Sequence, residues 1–252
     1  MKSKYFTVEV KPVIPNVAAG QHTAFGNGDV LFNWHAFDIP RGPAKLLGVS
    51  CDIRPKGNAD ADPNKFPLEL FFAKSRNNGI DPTALGTVNS AVTVPAFSPN
   101  QIISFVEVVA GDFADHLDST TFSHTVPLAG TIFNGELKPE KGTHVGFDRY
   151  YVAGMAGGAL DFTSGILINN GDLNGPVLTV DGVDPRLSLS VGDTIAVTTT
   201  ADTSVAKSMG VIKSMADANT ITLQSAFTTG DVVNNDIVYN VAPLTIRLHF
   251  EK

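Results

Sequence analysis

Six histidines and a single cysteine, Cys51, are the side chains that could hold a zinc ion or serve a hydrolytic triad. Either site needs two or three such groups to converge, usually together with a carboxylate. No two histidines are spaced as in H-x-x-x-H, and neither G-x-S-x-G nor an active-site cysteine pattern occurs. We therefore predict no catalytic residue, no metal ion and no cofactor, and we expect that the protein is not an enzyme. The histidines are His22, His35, His116, His124, His144 and His249.

The densest group of possible metal ligands lies between Asp112 and His124, and it also contains Asp115, His116 and Asp118. Their spacing matches no recognised metal site, and acidic stretches rich in Ser and Thr are typical of surface loops. We interpret this stretch as a solvated loop, with a metal site as the less favoured alternative.

A second acidic stretch, "GNADADPNKF", places Asp60, Asp62 and Asn64 at positions 1, 3 and 5 of a calcium-type loop. That motif also requires Gly at position 6 and Glu at position 12. This chain has Lys65 and Phe71 there, so the motif is incomplete. An exposed loop without a bound ion is the favoured interpretation.

The only tryptophan, Trp34, lies in an aromatic stretch with Phe32 and Phe37. An exposed tryptophan can serve as a stacking platform for sugars, but a large aromatic side chain more often belongs to a core or a subunit interface. We favour the core or the interface, and we name Trp34 and Phe37 as candidate interface residues.

The segment "GMAGGALDF" contains Gly154, Gly157 and Gly158. Glycine weakens a strand unless another group approaches the backbone closely or the strand is bulged. A neighbouring subunit would account for the glycines, and so would a bulge within the sheet. The sequence does not distinguish these alternatives, and the three glycines complete the set of candidate interface residues.

Composition limits the kinds of partner and compartment. The chain of 252 residues is 43% hydrophobic and 17% charged, and its formal net charge is −7. An acidic chain without a Lys/Arg cluster is unlike proteins that track nucleic-acid phosphates, so we expect no nucleic-acid partner. The sequence shows no apolar signal-peptide core and no long apolar run, and a lone cysteine forms no internal disulfide. We therefore expect synthesis in a cytoplasm and no membrane association.

Period-two alternation dominates positions 1–170, which hold 18 of the 21 aromatic residues. About eight strand candidates recur between Gly, Pro, Asn and Asp, with almost no helical periodicity. The pattern predicts an all-β fold, an antiparallel β-sandwich or jelly roll. The predicted strands are "YFTVEVKPVIP", "GDVLFNWHAFDIP", "AKLLGVSCDIR", "FPLELFFAKS", "QIISFVEVVAG", "GTIFNGELKP", "THVGFDRYYVAG" and "ALDFTSGILI".

Positions 171–241 have a different composition, with eight Asp against Arg186, Lys207 and Lys213. Five short strand candidates predict a small inserted β-barrel, although residues 204–217 could instead form a helix; Gly210 and the β-branched residues after it disfavour that helix. In the final segment, 242–252, apolar and polar residues alternate as they do in positions 1–170. This segment is predicted to return to the β-sandwich of 1–170 after the small β-barrel insertion of 171–241, and to complete that sandwich beside "YFTVEVKPV".

Six segments together resemble a virion structural protein of large tailed phages, especially marine phages that infect cyanobacteria. These are "KYFTVEVKP", "GDVLFNWHAFDIPRGPAKLLGV", "LELFFAKS" with "LGTVNS", "GTHVGFDRYYVAGMAGGALDF" and "VYNVAPLTIRLHFEK". The resemblance covers nearly the whole chain and implies no catalytic residues.

The resemblance implies a location in the virion after assembly in the host cytoplasm. The most specific role that it suggests is a capsid decoration or cement protein that stabilises the head by non-covalent contacts. Its partners would be other virion proteins, the major capsid protein among them, and copies of itself in a homo-oligomer, with a trimer favoured. Two alternatives stay open: a tail or baseplate component, and a glycan-binding module for host recognition. A glycan hydrolase would need two convergent carboxylates, which the sequence does not show.

Overall fold

The structure is a computed structural model of the 252-residue chain. It describes residues 4–14, 25–53, 67–75, 80–93, 97–109, 114–115, 122–133, 146–160, 162, 165–169, 175–198, 206–227 and 232–252.

Within these described residues, nine strands form two antiparallel sheets, and the all-β fold class predicted from the sequence is confirmed. The first sheet has the order β1-β15-β3-β7-β6 and the second the order β2-β8-β4-β5. The strands are β1 (Tyr5–Val10), β2 (Val30–Pro40), β3 (Ala44–Ile53), β4 (Leu68–Lys74), β5 (Gln101–Val108), β6 (Ala114–Asp115), β7 (Phe122–Phe133), β8 (Phe147–Ala156) and β15 (Leu244–Glu251).

The order of these strands is that of a jelly roll. With the two-residue β6 left aside, each sheet has four strands, and successive strands alternate between the sheets except at the β4–β5 pair. Eight strands in two such sheets make the double Greek key of a jelly roll. The chain thus wraps both sheets around one core, which fixes which faces are left for contact with other molecules.

The final strand shows how the sequence pattern produces this fold. Leu244, Ile246, Leu248 and Phe250 are each at most 1% exposed, while the residues between them are half-buried. This alternation places one face of β15 in the core. On either side β15 pairs with β1 and β3, so the predicted pairing beside "YFTVEVKPV" is seen.

Aromatic side chains fill much of the core between the two sheets. Phe37 packs edge-on against Phe72 at 6.4 Å between ring centroids, and it stacks on Tyr150 at 6.1 Å. Phe250 of the opposite sheet lies 6.5 Å from Phe37. These rings join the two sheets, because each sheet contributes to the same cluster.

The remaining strands form a closed barrel of six. The five strands predicted in this part of the chain are all present, and residues 206–217 form a strand, so the alternative helix is wrong. The barrel strands are β9 (Ile166–Ile168), β10 (Gly175–Gly182), β11 (Thr194–Thr198), β12 (Ala206–Asp217), β13 (Thr220–Phe227) and β14 (Ile237–Asn240).

The barrel lies in sequence between β8 and β15 and has its own core of aliphatic side chains. β9 was predicted to belong to the sandwich of residues 1–170, but it pairs with β10 and β14 of the barrel. Its sequence continues the alternation of the preceding segment, so composition did not reveal the change of partner. The division into domains at residue 170 stays a prediction.

The interpretation of the segment before His124 as a solvated loop is wrong where the structure describes it. Asp115 belongs to β6, and His124 pairs with Cys51 across β7 and β3. Pairing with a neighbouring strand overrode the local composition, in which Ser and Thr had suggested a loop. Asp112, His116 and Asp118 lie outside the described residues, as do Asp60, Asp62, Asn64 and Lys65.

Candidate functional site

The outer face of the second sheet, on the side away from the core, is partly covered by residues 80–93, here called the covering segment. Its Leu85 is fully buried and forms a small apolar cluster with Val30 and Ala153 of the sheet. Trp34 and Phe71 pack against this cluster from the sides. The covering segment therefore protects only part of an apolar sheet face.

A β-bulge in β2 holds the covering segment in place. The partners of Phe32 and His35 lie two steps apart in β8, whereas Phe32 and His35 themselves lie three steps apart in β2, so β2 has one extra residue there. Successive side chains of a regular strand point to opposite faces, and a bulge re-aims them. Here the consecutive residues Asn33 and Trp34 both bond the covering segment.

The side chains of Asn33 and Trp34 hydrogen-bond to the backbone of the covering segment. The Asn33 side chain donates to the Gly86 carbonyl at 2.9 Å and accepts from the Leu85 N–H at 2.8 Å. The indole N–H of Trp34 donates to the Thr83 carbonyl at 2.8 Å. Trp34 is thus half-buried and anchored within its own chain.

Two further contacts tie down the start of the covering segment. The Tyr151 hydroxyl donates to Asp81 Oδ1 at 2.6 Å. The Asn100 amide donates to the Thr83 carbonyl at 2.8 Å, and its oxygen accepts from the Thr83 N–H at 2.7 Å. These bonds satisfy polar groups that would otherwise be buried against the sheet without partners.

A shallow cleft of about 310 Å³ opens beside the bulge. Burial lowers the pKa of His35 in its wall, because desolvation disfavours the imidazolium. Among the described residues no group hydrogen-bonds the His35 ring. The cleft offers a polar ring in a mainly apolar setting, lined by Pro12, Val13, Phe32, Asn33, Trp34, His35 and Val88.

Beyond the covering segment, three phenylalanines lie together on this side of the second sheet and are here called the aromatic ridge: half-buried Phe71 and the exposed Phe97 and Phe105. Phe71 of β4 lies 4.8 Å from Phe97 and 5.2 Å from Phe105 between ring centroids. Phe105 is 49% exposed and Phe97 36%. A contiguous exposed aromatic group of this kind marks an interaction surface more often than a solvated one.

The outer face of the first sheet carries polar side chains where the structure describes them. His249 lies 2.8 Å from the Ser50 hydroxyl and 3.1 Å from the Thr7 hydroxyl, through its two ring nitrogens. Neither partner is a carboxylate that could orient the imidazole as a catalytic base. The arrangement therefore links three strands and does not form a hydrolytic triad.

An arginine continues this polar face. Arg247 of β15 bonds Glu9 of β1 at 3.2 Å and also bonds Asp52 of β3. These carboxylates, Asp52 above all, raise the pKa of Arg247. Arg247 thus has carboxylate partners on both neighbouring strands of the same chain.

The candidate interface residues from the sequence lie in different settings. Phe37 is 5% exposed in the core between the sheets, and Trp34 belongs to the outer cluster described above. A Cβ at position 154 would overlap the Phe32 ring, 2.8 Å from its Cζ atom. At 157 and 158 it would approach Pro67, at 2.8 Å and 3.3 Å. The chain itself thus provides close neighbours for all three glycines, and the subunit-interface role of these five residues stays a prediction.

The aromatic ridge was not predicted from the sequence. Phe71 was noted only as the wrong residue for a calcium loop, and Phe97 and Phe105 were not singled out. The signal was present in part, because "LELFF" and "SFVEV" both place Phe two residues from Glu. Only the register between β4 and β5, which pairs Phe71 with Phe105, brings them together.

Chemistry of other kinds has little support within the described residues. Cys51 is fully buried, and burial raises the pKa of its thiol to about 12, which keeps it protonated. In the part of the chain that the structure describes, no three His, Cys, Asp or Glu side chains converge as metal ligands. Over the same part, no helix has the length and apolar character needed to cross a bilayer.

No family model and no curated protein matches this sequence. Among solved structures, two of infectious bursal disease virus align with this chain, one of the Gx strain and one of its VP2 subviral particle. They show 7% and 8% identity over 100% and 99% of this chain, with TM-scores of 0.19 and 0.17. This chain spans only 41% of the length of either.

A structure of Sulfolobus Turreted Icosahedral Virus aligns with 7% identity over 98% of this chain and 90% of that one, with a TM-score of 0.16. At such TM-scores the backbones do not superpose as a common fold. These matches therefore carry no argument about what this chain does.

Proposed function

We propose that this protein is a structural component of a phage virion and that it acts by binding other virion subunits. The observation that carries the proposal is the aromatic ridge on a jelly-roll sheet whose outer face is only partly covered by residues 80–93. A contiguous apolar surface of this kind needs a partner. The resemblance to virion proteins of tailed phages supplies the kind of partner.

The jelly roll supports this role without deciding it. Jelly rolls occur in viral capsid proteins, in lectins and in cupins, so the topology admits assembly as well as ligand binding. Its two sheets share one core, which gives a rigid body able to present a fixed surface. Such a body contributes to a particle through buried interface area alone, and no catalytic group is required.

Within the virion, the role we favour is capsid decoration, with trimeric copies that bind the major capsid protein. Repetition over a symmetric shell would multiply modest contacts by avidity. Apolar burial contributes on the order of 25 cal/mol per Å², before the costs of association are subtracted. A tail or baseplate position is the alternative within the same class.

The test is the copy number of the protein in purified virions, with its position in a cryo-EM map. Decoration predicts many copies at three-fold or quasi-three-fold positions of the head. A few copies at one vertex would move the protein to the tail, and its absence from purified particles would refute the virion role altogether.

A second candidate, glycan binding, is favoured by one observation: the cleft beside the bulge has Trp34 and His35 in its wall. Aromatic rings with a nearby polar group suit a sugar. Titration with host-surface glycans, followed by the fluorescence of the only tryptophan, tests this role directly. A saturable change in this fluorescence that His35→Ala abolishes would support it, and an unchanged spectrum would reject it.

A further inference from the structure

Two glutamates border the aromatic ridge and face each other across β4 and β5. Glu69 is the register partner of Glu107, just as Phe71 is the partner of Phe105. Residues two apart in a strand lie on the same face, so both glutamates share the face of the ridge. Glu107 is exposed, and Glu69 is half-buried.

Two like charges directly opposite each other destabilise a sheet. Neither Glu69 nor Glu107 forms an ion pair with any residue that the structure describes. Phe71 and Phe105 lie two positions from these glutamates on the same strands, so the like charges stand next to the rings of the ridge. A cation placed between them from outside would remove this cost and would also meet the ring faces.

We propose that the aromatic ridge with Glu69 and Glu107 binds an arginine-bearing segment of a companion protein. This inference rests on the proposed function, since the companion would be another virion subunit. A guanidinium is planar and carries several N–H donors, so it can bond two carboxylates while it stacks on a phenylalanine. Apolar side chains next to the arginine would cover the rest of the ridge.

A second copy of this chain is a poorer occupant. Two ridges packed face to face would bring four carboxylates together, because an isologous contact places the same patch on both sides. The chain as a whole is also acidic, with a formal net charge of −7. Charge complementarity therefore selects a basic partner.

The test measures binding of a fluorescein-labelled decapeptide of alternating Leu and Arg to the purified full chain by anisotropy. Comparison peptides replace Arg by Lys or by Glu. We expect the Arg peptide to bind about tenfold more tightly than the Glu peptide, with the Lys peptide between them, because only Arg combines both contacts. Glu69→Gln with Glu107→Gln, and separately Phe105→Ser, should each weaken the Arg peptide about tenfold.

Matched controls come from the first sheet. Tyr5 is an aromatic residue with 71% exposure, and its hydroxyl donates to Glu251. Tyr5→Ser and Glu251→Gln remove an exposed ring and a surface carboxylate, yet both should leave peptide binding unchanged. Circular dichroism and the melting temperature show for each variant that the fold is retained.

Three results would overturn the inference. The first is that the Arg peptide shows no saturable binding up to about millimolar concentration, where specific recognition would be detected. The second is equal binding of the Arg and Glu peptides. The third is an equal loss of binding in the control variants and the ridge variants. Self-association of the chain that Phe105→Ser abolishes would assign the ridge to a second copy instead. The virion-composition experiment uses whole particles, so failure of the proposed function can be told apart from failure of this one.

Discussion

The outer faces of the two sheets differ in the side chains that they present, although both come from alternating strands. On the first sheet, Thr7, Arg247 and His249 bond side chains from neighbouring strands. On the second, the outward positions carry Trp34, Phe71 and Phe105, which lie partly under the covering segment and partly in the open. These polar side chains of the first sheet are hydrogen-bonded within the chain, whereas the second sheet leaves apolar side chains exposed to water.

This difference teaches which surface of the jelly roll is available for assembly. A polar face whose groups already have partners gains little from association, because those bonds must be broken or matched. An apolar ridge gains from any contact that removes it from water. The second sheet therefore has the stronger reason to meet another molecule, and the first is suited to solvent.

The largest expected effect tests the packing beneath the second sheet. Gly154→Ala should destabilise the protein by about 3 kcal/mol, because the new Cβ overlaps the Phe32 ring and a packed core relaxes poorly. Urea unfolding measures the loss. The same change in a Phe32→Leu background should cost clearly less, since the smaller side chain leaves room. Equal costs in both backgrounds would show that Phe32 is not the cause.

A smaller loss of stability is expected when a polar contact is removed from either outer face, and the two faces should differ. Asn33→Ala removes two hydrogen bonds to the covering segment and leaves Leu85 N–H and Gly86 C=O without them. We expect a loss of about 2 kcal/mol, because these groups are partly buried. The matched change Thr7→Ala, at an exposed contact with His249, should cost less than about 0.5 kcal/mol. Similar losses would contradict the contrast between the faces.

The pH dependence of stability sharpens the comparison at His35. Its pKa in the folded protein is below the ordinary value, so the unfolded chain binds the proton more readily. Stability should be level above about pH 6.5, the ordinary histidine pKa, and should decrease as pH falls through that value. His35→Gln should remove this part of the decrease, as measured by melting temperature between neutral and mildly acidic pH. Parallel curves for the two proteins would reject the assignment.

The smallest expected effect belongs to the first sheet. Arg247→Gln removes ion pairs with Glu9 and Asp52, but the arginine side chain is 38% exposed. Exposed pairs contribute little, so we expect a loss of about 0.5 kcal/mol, which decreases further in about 1 M salt. Urea unfolding at low and high salt measures both. A loss as large as that of Asn33→Ala would make the polar face a main source of stability.

Much of the architecture could be predicted from alternation alone. In β15 the apolar residues recur at every second position, and the buried side of the strand follows from that pattern. Gly210 and the neighbouring Val211 and Ile212 disfavoured a helix, and the structure has β12 there. These predictions succeeded because local propensity and tertiary pairing agreed.

Most of β7 and the aromatic ridge could not be predicted in this way. "FSHTVPLA" mixes polar residues with Pro127, and only its pairing with β3 makes it a strand. The ridge joins residues more than thirty positions apart through the register of β4 with β5. Likewise, nothing in the sequence near Asn33 indicates that its amide bonds a segment some fifty residues later.

The placement of β15 between β1 and β3 sets an order of events for folding. Until β15 pairs, β1 and β3 each have an unpaired backbone edge in the first sheet. The aromatic cluster of the core also lacks the Phe250 ring, which packs near Phe37 in the folded protein. Contacts between strands so far apart in sequence form slowly. An immature chain that waits in this state presents edges that promote aggregation. Rapid pairing of β15 with β1 and β3 thus protects the protein from aggregation during its synthesis as well as afterwards.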